Sequence, residues 1–215
     1  MAEIITLESS AESIRHLSVA DPRLAALIRR IGPISYSRHD ENPYGFLVHE
    51  ILEQMLSIKA AAKIHSRLLD LCGGEILPDR IGQLSASEIQ AIGTSPQKAR
   101  YIKNLTGAVE SGDLDFQALE AMDDNEVIKS LVRIKGVGNW TAKMYLIFVL
   151  DRQDILPFED GAFLQAYKWL YETTDITKPA IEATCRAWKP YSSIAARYLY
   201  RALDSGFTKP AKTTD

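Results

Sequence analysis

The chain has 215 residues, a mass of 24.0 kDa, 25 lysines and arginines against 28 acids, and a formal charge of −3. With 46% hydrophobic and 25% charged residues it has globular composition, which excludes intrinsic disorder, collagen-like repetition and coiled-coil bias. An all-over polybasic nucleic-acid binder is excluded as well, although a locally basic face is not.

The two cysteines, Cys72 and Cys185, stand far apart with no Cys-x-x-Cys or His-x-x-x-His spacing beside them. A disulfide framework, a zinc site on these residues and an iron–sulfur cluster are thereby excluded. His16, His39, His49 and His65 form no metal spacing and read as surface or core residues. Met1 to Leu7 lacks a basic stretch followed by an apolar one, and no apolar run approaches the about 18 residues of a membrane span. A soluble, intracellular chain with no membrane partner is expected.

In chain order, Asp21 is the expected N-cap of a helix that opens at Pro22 and stops at Gly32. The stretch 34–44 has Pro43 and no period, and reads as a connector. Leu47, Ile51, Met55 and Ile58 recur at helical spacing, predicting one long helix from about Phe46 to Gly73-Gly74. Ser85 with Glu88 and Asp123 with Glu126 are capping-box patterns, and Ser95 caps a helix that opens at Pro96 and closes at Gly112. Asn139 is expected to cap a helix from Trp140 to about Leu150. Helices near 160–171, 178–188 and 191–204 complete the chain, followed by a polar tail. No strand pair and no repeat stand out, so the predicted class is all-α.

Charge is unevenly spread. Residues 127–143 hold Lys129, Arg133, Lys135 and Lys143 and no acid, whereas 144–177 hold six acids and two bases. Residues 178–212 hold seven bases against Glu182 and Asp204. The first basic run coincides with a glycine turn, Leu131-Val-Arg-Ile-Lys-Gly-Val-Gly-Asn-Trp-Thr-Ala-Lys143. Gly136 and Gly138 permit positive φ and close backbone approach. Successive amides then point outward at the positive end of the next helix, where an anion can sit. Val137 is apolar enough to tuck into the hairpin, and Lys135 and Lys143 add charge. Such a turn would hold DNA by its phosphates without reading sequence. The bland alternative is a helix–helix turn whose glycines only relieve strain.

This segment resembles the helix–hairpin–helix of the HhH-GPD DNA glycosylase superfamily. Glu53-Gln-Met-Leu-Ser-Ile-Lys-Ala-Ala61, Ser95-Pro-Gln-Lys-Ala-Arg-Tyr-Ile-Lys103, Ile155-Leu-Pro-Phe-Glu-Asp-Gly-Ala162 and Trp188-Lys-Pro-Tyr-Ser-Ser193 resemble further family segments, in family order. They span roughly residues 31 to 204, and the nearest branch looks like 3-methyladenine DNA glycosylase II. The resemblance implies two helical subdomains, about 36–145 with the hairpin and about 1–35 plus 146–207, with an active-site cleft between them and a loose tail at 208–215.

The same resemblance implies roles. Asp160 aligns with the catalytic aspartate, which stabilises positive charge on the sugar as the glycosidic bond breaks; as a bland alternative it simply N-caps a helix. Lys135, Gly136, Val137, Gly138, Thr141 and Lys143 are the DNA-binding candidates. Family members that also cut the backbone place a lysine two positions after the second hairpin glycine. Trp140 stands there, so hydrolysis without strand cleavage is implied. Trp140, Trp188 and Tyr191 are candidate walls for a flipped, cationic N-alkylpurine such as 3-methyladenine or 7-methylguanine. An intercalating wedge is expected at Thr94, Ser95 and Pro96. No cofactor is required, although the backbone carbonyls of Val132, Ile134 and Val137 match positions that hold a structural Na+ or K+.

The implied partner is double-stranded DNA containing damaged bases, met by a monomer. Ser192 stands where relatives have arginine, and 161–165 lack a basic residue, so phosphate grip should be lighter. The rival from another class is a non-enzymatic helix–hairpin–helix module that binds DNA structure or lesions. A third reading keeps the enzyme and changes the base to uracil, an oxidised purine or a mismatch.

Overall fold

The computed structural model describes residues 4–208, with Ile58 described for its backbone alone. The expected loose tail lies, apart from Thr208, outside the described residues. Among the described residues are thirteen α-helices, one 3-10 turn and one two-stranded sheet, so the fold is mostly α. Two compact units divide it: Met1–Arg38 with Asp151–Asp215, and His39–Leu150. No described helix is long and apolar enough to cross a membrane.

The first unit opens with β1 (Ile4–Leu7), α1 (Glu12–Ala20), α2 (Pro22–Ile31) and β2 (Ile34–Ser37). β1 and β2 pair antiparallel, Ile4 opposite Ser37 and Leu7 opposite Ile34. This corrects the expectation of no strand pair: four residues are too few to show period-two alternation. Helix α1 also went unforeseen, because Ala11 at its N-cap offers no side-chain bond to mark the start. Helix α2 starts as expected, its first amides donating to the Asp21 carboxylate, and ends at Gly32 with φ +77°.

The second unit runs α3 (Pro43–Glu53), α4 (Ile58–Leu71), α5 (Pro78–Gln83), α6 (Ala86–Ala91), α7 (Pro96–Glu110), α8 (Phe116–Ala121), α9 (Asp124–Val132) and α10 (Asn139–Phe148). Pro43, read as part of a connector, is the first residue of α3 behind the Asn42 cap. The single long helix expected from about 46 to 73 is two helices. Gln54 leaves the helical region, Met55 takes φ +59°, and Ser57 caps a new start. Leu47 and Ile51 are fully buried, whereas Met55 is fully exposed. Both capping boxes and the Ser95 cap form as the sequence predicts. Helix α3 is the centre of this unit, packing against α4, α7 and α10.

The first unit resumes with α11 (Gly161–Tyr171), α12 (Lys178–Cys185), a 3-10 turn (Arg186–Trp188) and α13 (Ser192–Asp204). Ala195 and Ala196 let α13 lie close on its neighbours, and it packs against α11 and α2. The core here includes Leu17, Leu24, Phe163, Tyr167, Trp188 and Leu199. Arg197, nearly buried on α13, lies over the Tyr36 ring at 3.7 Å and pairs with Asp151 at 3.1 Å. Burial pushes its pKa down, and that pairing is what keeps a buried guanidinium tolerable.

Candidate functional site

The hairpin between α9 and α10 is tight. The Ile134 amide donates to the Leu131 carbonyl at 3.0 Å and the Val137 amide to the Ile134 carbonyl at 2.9 Å. Gly136 has φ +118°, and a Cβ there would collide with the Tyr101 side chain of α7, so glycine is required twice over. Gly138 is different. Its φ is −100°, open to any residue, and a Cβ added to it would meet nothing within 4 Å. The expectation of two positive-φ glycines is therefore corrected; Gly138 instead keeps the space ahead of α10 empty.

Gly138 rather than Asn139 is the N-cap of α10, and it supplies no side-chain cap to the first turn. Asp21, Ser57, Ser95 and Asp160 do close the first turns of α2, α4, α7 and α11. The start of α10 thus has no side-chain cap from its N-cap residue at the positive end of the helix dipole, which is an arrangement for an anion. Lys129, Arg133 and Lys135 are exposed on the same hairpin, Lys143 is half-buried, and Val137 is buried within the turn.

Neighbouring side chains hold the turn in this attitude. Gln54 donates to the Gly136 carbonyl at 3.0 Å and to Thr141 Oγ1 at 3.5 Å, and Asn104 donates to the Lys135 carbonyl at 3.0 Å. Two negative ends of the loop are thereby occupied. Lys98 donates to the Leu52 and Gln54 carbonyls at 2.7 and 2.5 Å, closing the end of α3, and burial pushes its pKa down. Gln54, Lys98 and Asn104 were not foreseen as site residues. Gln54 and Lys98 lie in segments that carry the family resemblance, yet their bonds join residues far apart in sequence.

Thr141 is buried with its hydroxyl turned to Gln54, so of the DNA-binding candidates it can offer only its backbone amide. The loop of the expected wedge offers no large apolar side chain. Thr94 is buried, Ser95 caps α7, and Pro96 is inside that helix. The apolar tip of this unit is Met55, fully exposed, with Leu56 40% exposed beside it. It directly follows Gln54, the residue bonded to the hairpin.

The aromatic candidates separate by burial. Trp140 is half-buried in the first turn of α10. Tyr191 is half-buried at the N-cap of α13, its ring edge-on to His16 at 5.4 Å. Trp188 is fully buried, edge-on to Phe163 at 6.3 Å, and donates its indole N–H to Asp21 at 3.0 Å. Both faces of Trp188 belong to the core, so it leaves the base-pocket set.

Asp160 follows the Pro157 turn, its amide donating to the Pro157 carbonyl at 3.0 Å. The side chain is nearly buried at the N-cap of α11, where Oδ1 accepts the Phe163 amide at 2.7 Å. The capping role is real, and it fixes the orientation of the carboxylate. Glu159 beside it is exposed.

Residues 48–190 match the HhH-GPD superfamily of base excision DNA repair proteins. The chain is 30% identical over 217 residues to DNA-3-methyladenine glycosylase 1 of Schizosaccharomyces pombe, covering 98% of this chain and 94% of that protein. A crystal structure of a DNA-3-methyladenine glycosidase from Bacillus halodurans superposes with a TM-score of 0.81 at 33% identity, over 95% of each chain. The Schizosaccharomyces pombe 3-methyladenine DNA glycosylase in complex with abasic DNA gives a TM-score of 0.83 at 27% identity, over 95% of this chain and 100% of that one. With a family match across most of its length and relatives of the same extent, the chain belongs to the HhH-GPD superfamily of base excision DNA repair proteins.

Proposed function

We propose that this protein is a monofunctional DNA glycosylase that hydrolyses the N-glycosidic bond of alkylated purines in duplex DNA and leaves an abasic site. The observation that carries the reading is the start of α10, left without a side-chain cap by Gly138 while Gln54 and Asn104 occupy the adjoining carbonyls. A phosphate oxygen accepts from those amides, and the lysines of the hairpin add attraction that salt screens. A monovalent cation at the hairpin would be held by the backbone carbonyls of Val132, Ile134 and Val137. Such an ion would add positive charge behind the phosphate.

The target nucleotide leaves the stack at a cost of about a few kcal/mol, less at a lesion. Met55 inserts into the gap, as apolar wedges do, and Trp140 stacks on the cationic purine. As the bond between C1′ and the base nitrogen breaks, its electrons pass to the base and cancel its formal charge. The Asp160 carboxylate stabilises the positive sugar and orients the water whose oxygen bonds to C1′; the water's proton passes to the carboxylate or to solvent. Trp140 occupies the position of the lyase lysine in the family pattern and has no amine to form a Schiff base.

Incubation with methylated duplex DNA should release free 3-methyladenine and 7-methylguanine, leaving strands intact until base or heat is applied. Borohydride should trap no covalent complex; a trapped adduct would overturn the monofunctional reading. Binding without any release would favour the non-enzymatic module instead. Met55→Ala removes an exposed side chain worth about 1.5–3 kcal/mol when buried. Release from duplex DNA should slow by about tenfold or more on that scale, while release from single strands changes little. Equal slowing on both substrates would remove Met55 from the wedge role.

A further inference from the structure

The last two turns of α3 gather metal-ligating groups. His49, Glu50 and Glu53 each offer a ligand atom, and these atoms all lie within 4.8 Å of one another. His49 and Glu53, four residues apart on one helix face, already bring Nε2 and Oε1 to 3.2 Å. His65 of α4 adds a second imidazole, its ring perpendicular to that of His49 with centroids 4.8 Å apart. Spacing between histidines did not reveal the group, because it is built from one helical turn of His and Glu plus a histidine from the next helix.

We propose that His49, Glu50, Glu53 and His65 form a binding site for a first-row divalent cation of the Zn2+ type, with His49 and Glu53 as its nearest pair of ligands. Imidazole nitrogen with carboxylate oxygen is the donor set such ions take, at about 2.0–2.2 Å from the metal. Ligand atoms around a tetrahedral ion then stand about 3.4 Å apart by that geometry, close to the His49–Glu53 separation. Glu50 closes the remaining distance by a rotamer change, and His65 by turning its ring. Two carboxylates balance the charge of the ion, so the site needs no further anion.

The location gives such an ion a consequence. Glu53 is the last residue of α3, and the turn that follows carries Gln54, which holds the Gly136 carbonyl. A cation bridging α3 and α4 clamps both sides of that turn. Metal binding itself is measured without DNA, so its failure leaves the glycosylase reading untouched, and the reverse also holds.

The test uses the full, untagged chain, stripped with a chelator and dialysed. Co2+ titration should produce the visible absorption of a nitrogen- and oxygen-ligated ion at one equivalent, and Zn2+ should abolish it at micromolar concentrations. His49→Ala and Glu53→Gln should each weaken Co2+ binding by about tenfold or more, as loss of a ligand requires. His65→Gln should weaken it less, and circular dichroism should show all variants folded. If His49→Ala fails to fold, Glu53→Gln and His65→Gln still decide the matter. A wild-type chain without a saturable Co2+ spectrum, or folded variants that all bind as wild type, would overturn the site.

Discussion

Asp160→Asn should lower base release by roughly 10³-fold, the scale seen when a group that stabilises transition-state charge is removed. The substitution is well suited to isolating charge. Asparagine is as good an N-cap as aspartate, and its side-chain oxygen can keep accepting the Phe163 amide that Asp160 now binds at 2.7 Å. Helix α11 should therefore start in the same place, and thermal stability should move little. Binding to methylated duplex should persist with the same salt dependence, since the phosphate donors lie on the hairpin. Asp160→Ala is the companion: it removes charge and cap together and should cost about 1 kcal/mol of stability as well. Release by the asparagine variant at the wild-type rate would remove Asp160 from catalysis and leave it a helix cap alone.

What the sequence made legible follows the range of the forces involved. Capping is chemistry within four residues, so Asp21, Ser85 with Glu88, Ser95 and Asp123 with Glu126 announced their helices correctly. The break between α3 and α4 was hidden because Leu47, Ile51, Met55 and Ile58 keep a helical period straight across it. What breaks the helix is tertiary: Lys98 captures the carbonyls at the end of α3 and Gln54 reaches the hairpin. The exposed tip at Met55 was therefore invisible, and the wedge was sought at a loop of small residues, one buried, one capping α7 and one its first residue. Gly136 and Gly138 look alike in sequence, but only Gly136 faces Tyr101 and needs positive φ. Trp188 could be read equally as pocket or core, because its neighbour Asp21 stands far away along the chain.

That pairing sets the largest expected effect on stability. Asp21 Oδ1 accepts the Arg23 and Leu24 amides at 2.9 and 3.0 Å, and Oδ2 accepts the Trp188 indole at 3.0 Å and the Tyr171 hydroxyl. One carboxylate thus caps α2, holds the end of α11 and fixes the segment leading into α13. Asp21→Ala removes a cap worth about 1 kcal/mol, strands the buried Trp188 indole N–H at about 1–3 kcal/mol, and frees the part-buried Tyr171 hydroxyl at the low end of that range, so a loss of about 3–5 kcal/mol is expected. Asp21→Asn keeps an acceptor for the helix amides but sets an amide N–H against the indole N–H, and should cost nearly as much.

The pH dependence has a definite sign. Burial alone would push the Asp21 carboxyl up, but hydrogen bonds from the Leu24 amide, Tyr171, Trp188 and the Arg23 amide outweigh it and hold the pKa below the ordinary value. A carboxyl depressed in the folded state stabilises the protein above its unfolded pKa of about 3.9, and that contribution disappears as pH falls through the folded value. Denaturant unfolding should therefore show a wide gap between wild type and Asp21→Asn at neutral pH, narrowing below about pH 4. A gap under about 1 kcal/mol, the size of a cap alone, would show that Trp188 and Tyr171 find other partners. Because Tyr171 closes the helix that Asp160 opens, a stable but inactive Asp21 variant would mean that this carboxylate sets the attitude of α11 as well as its stability.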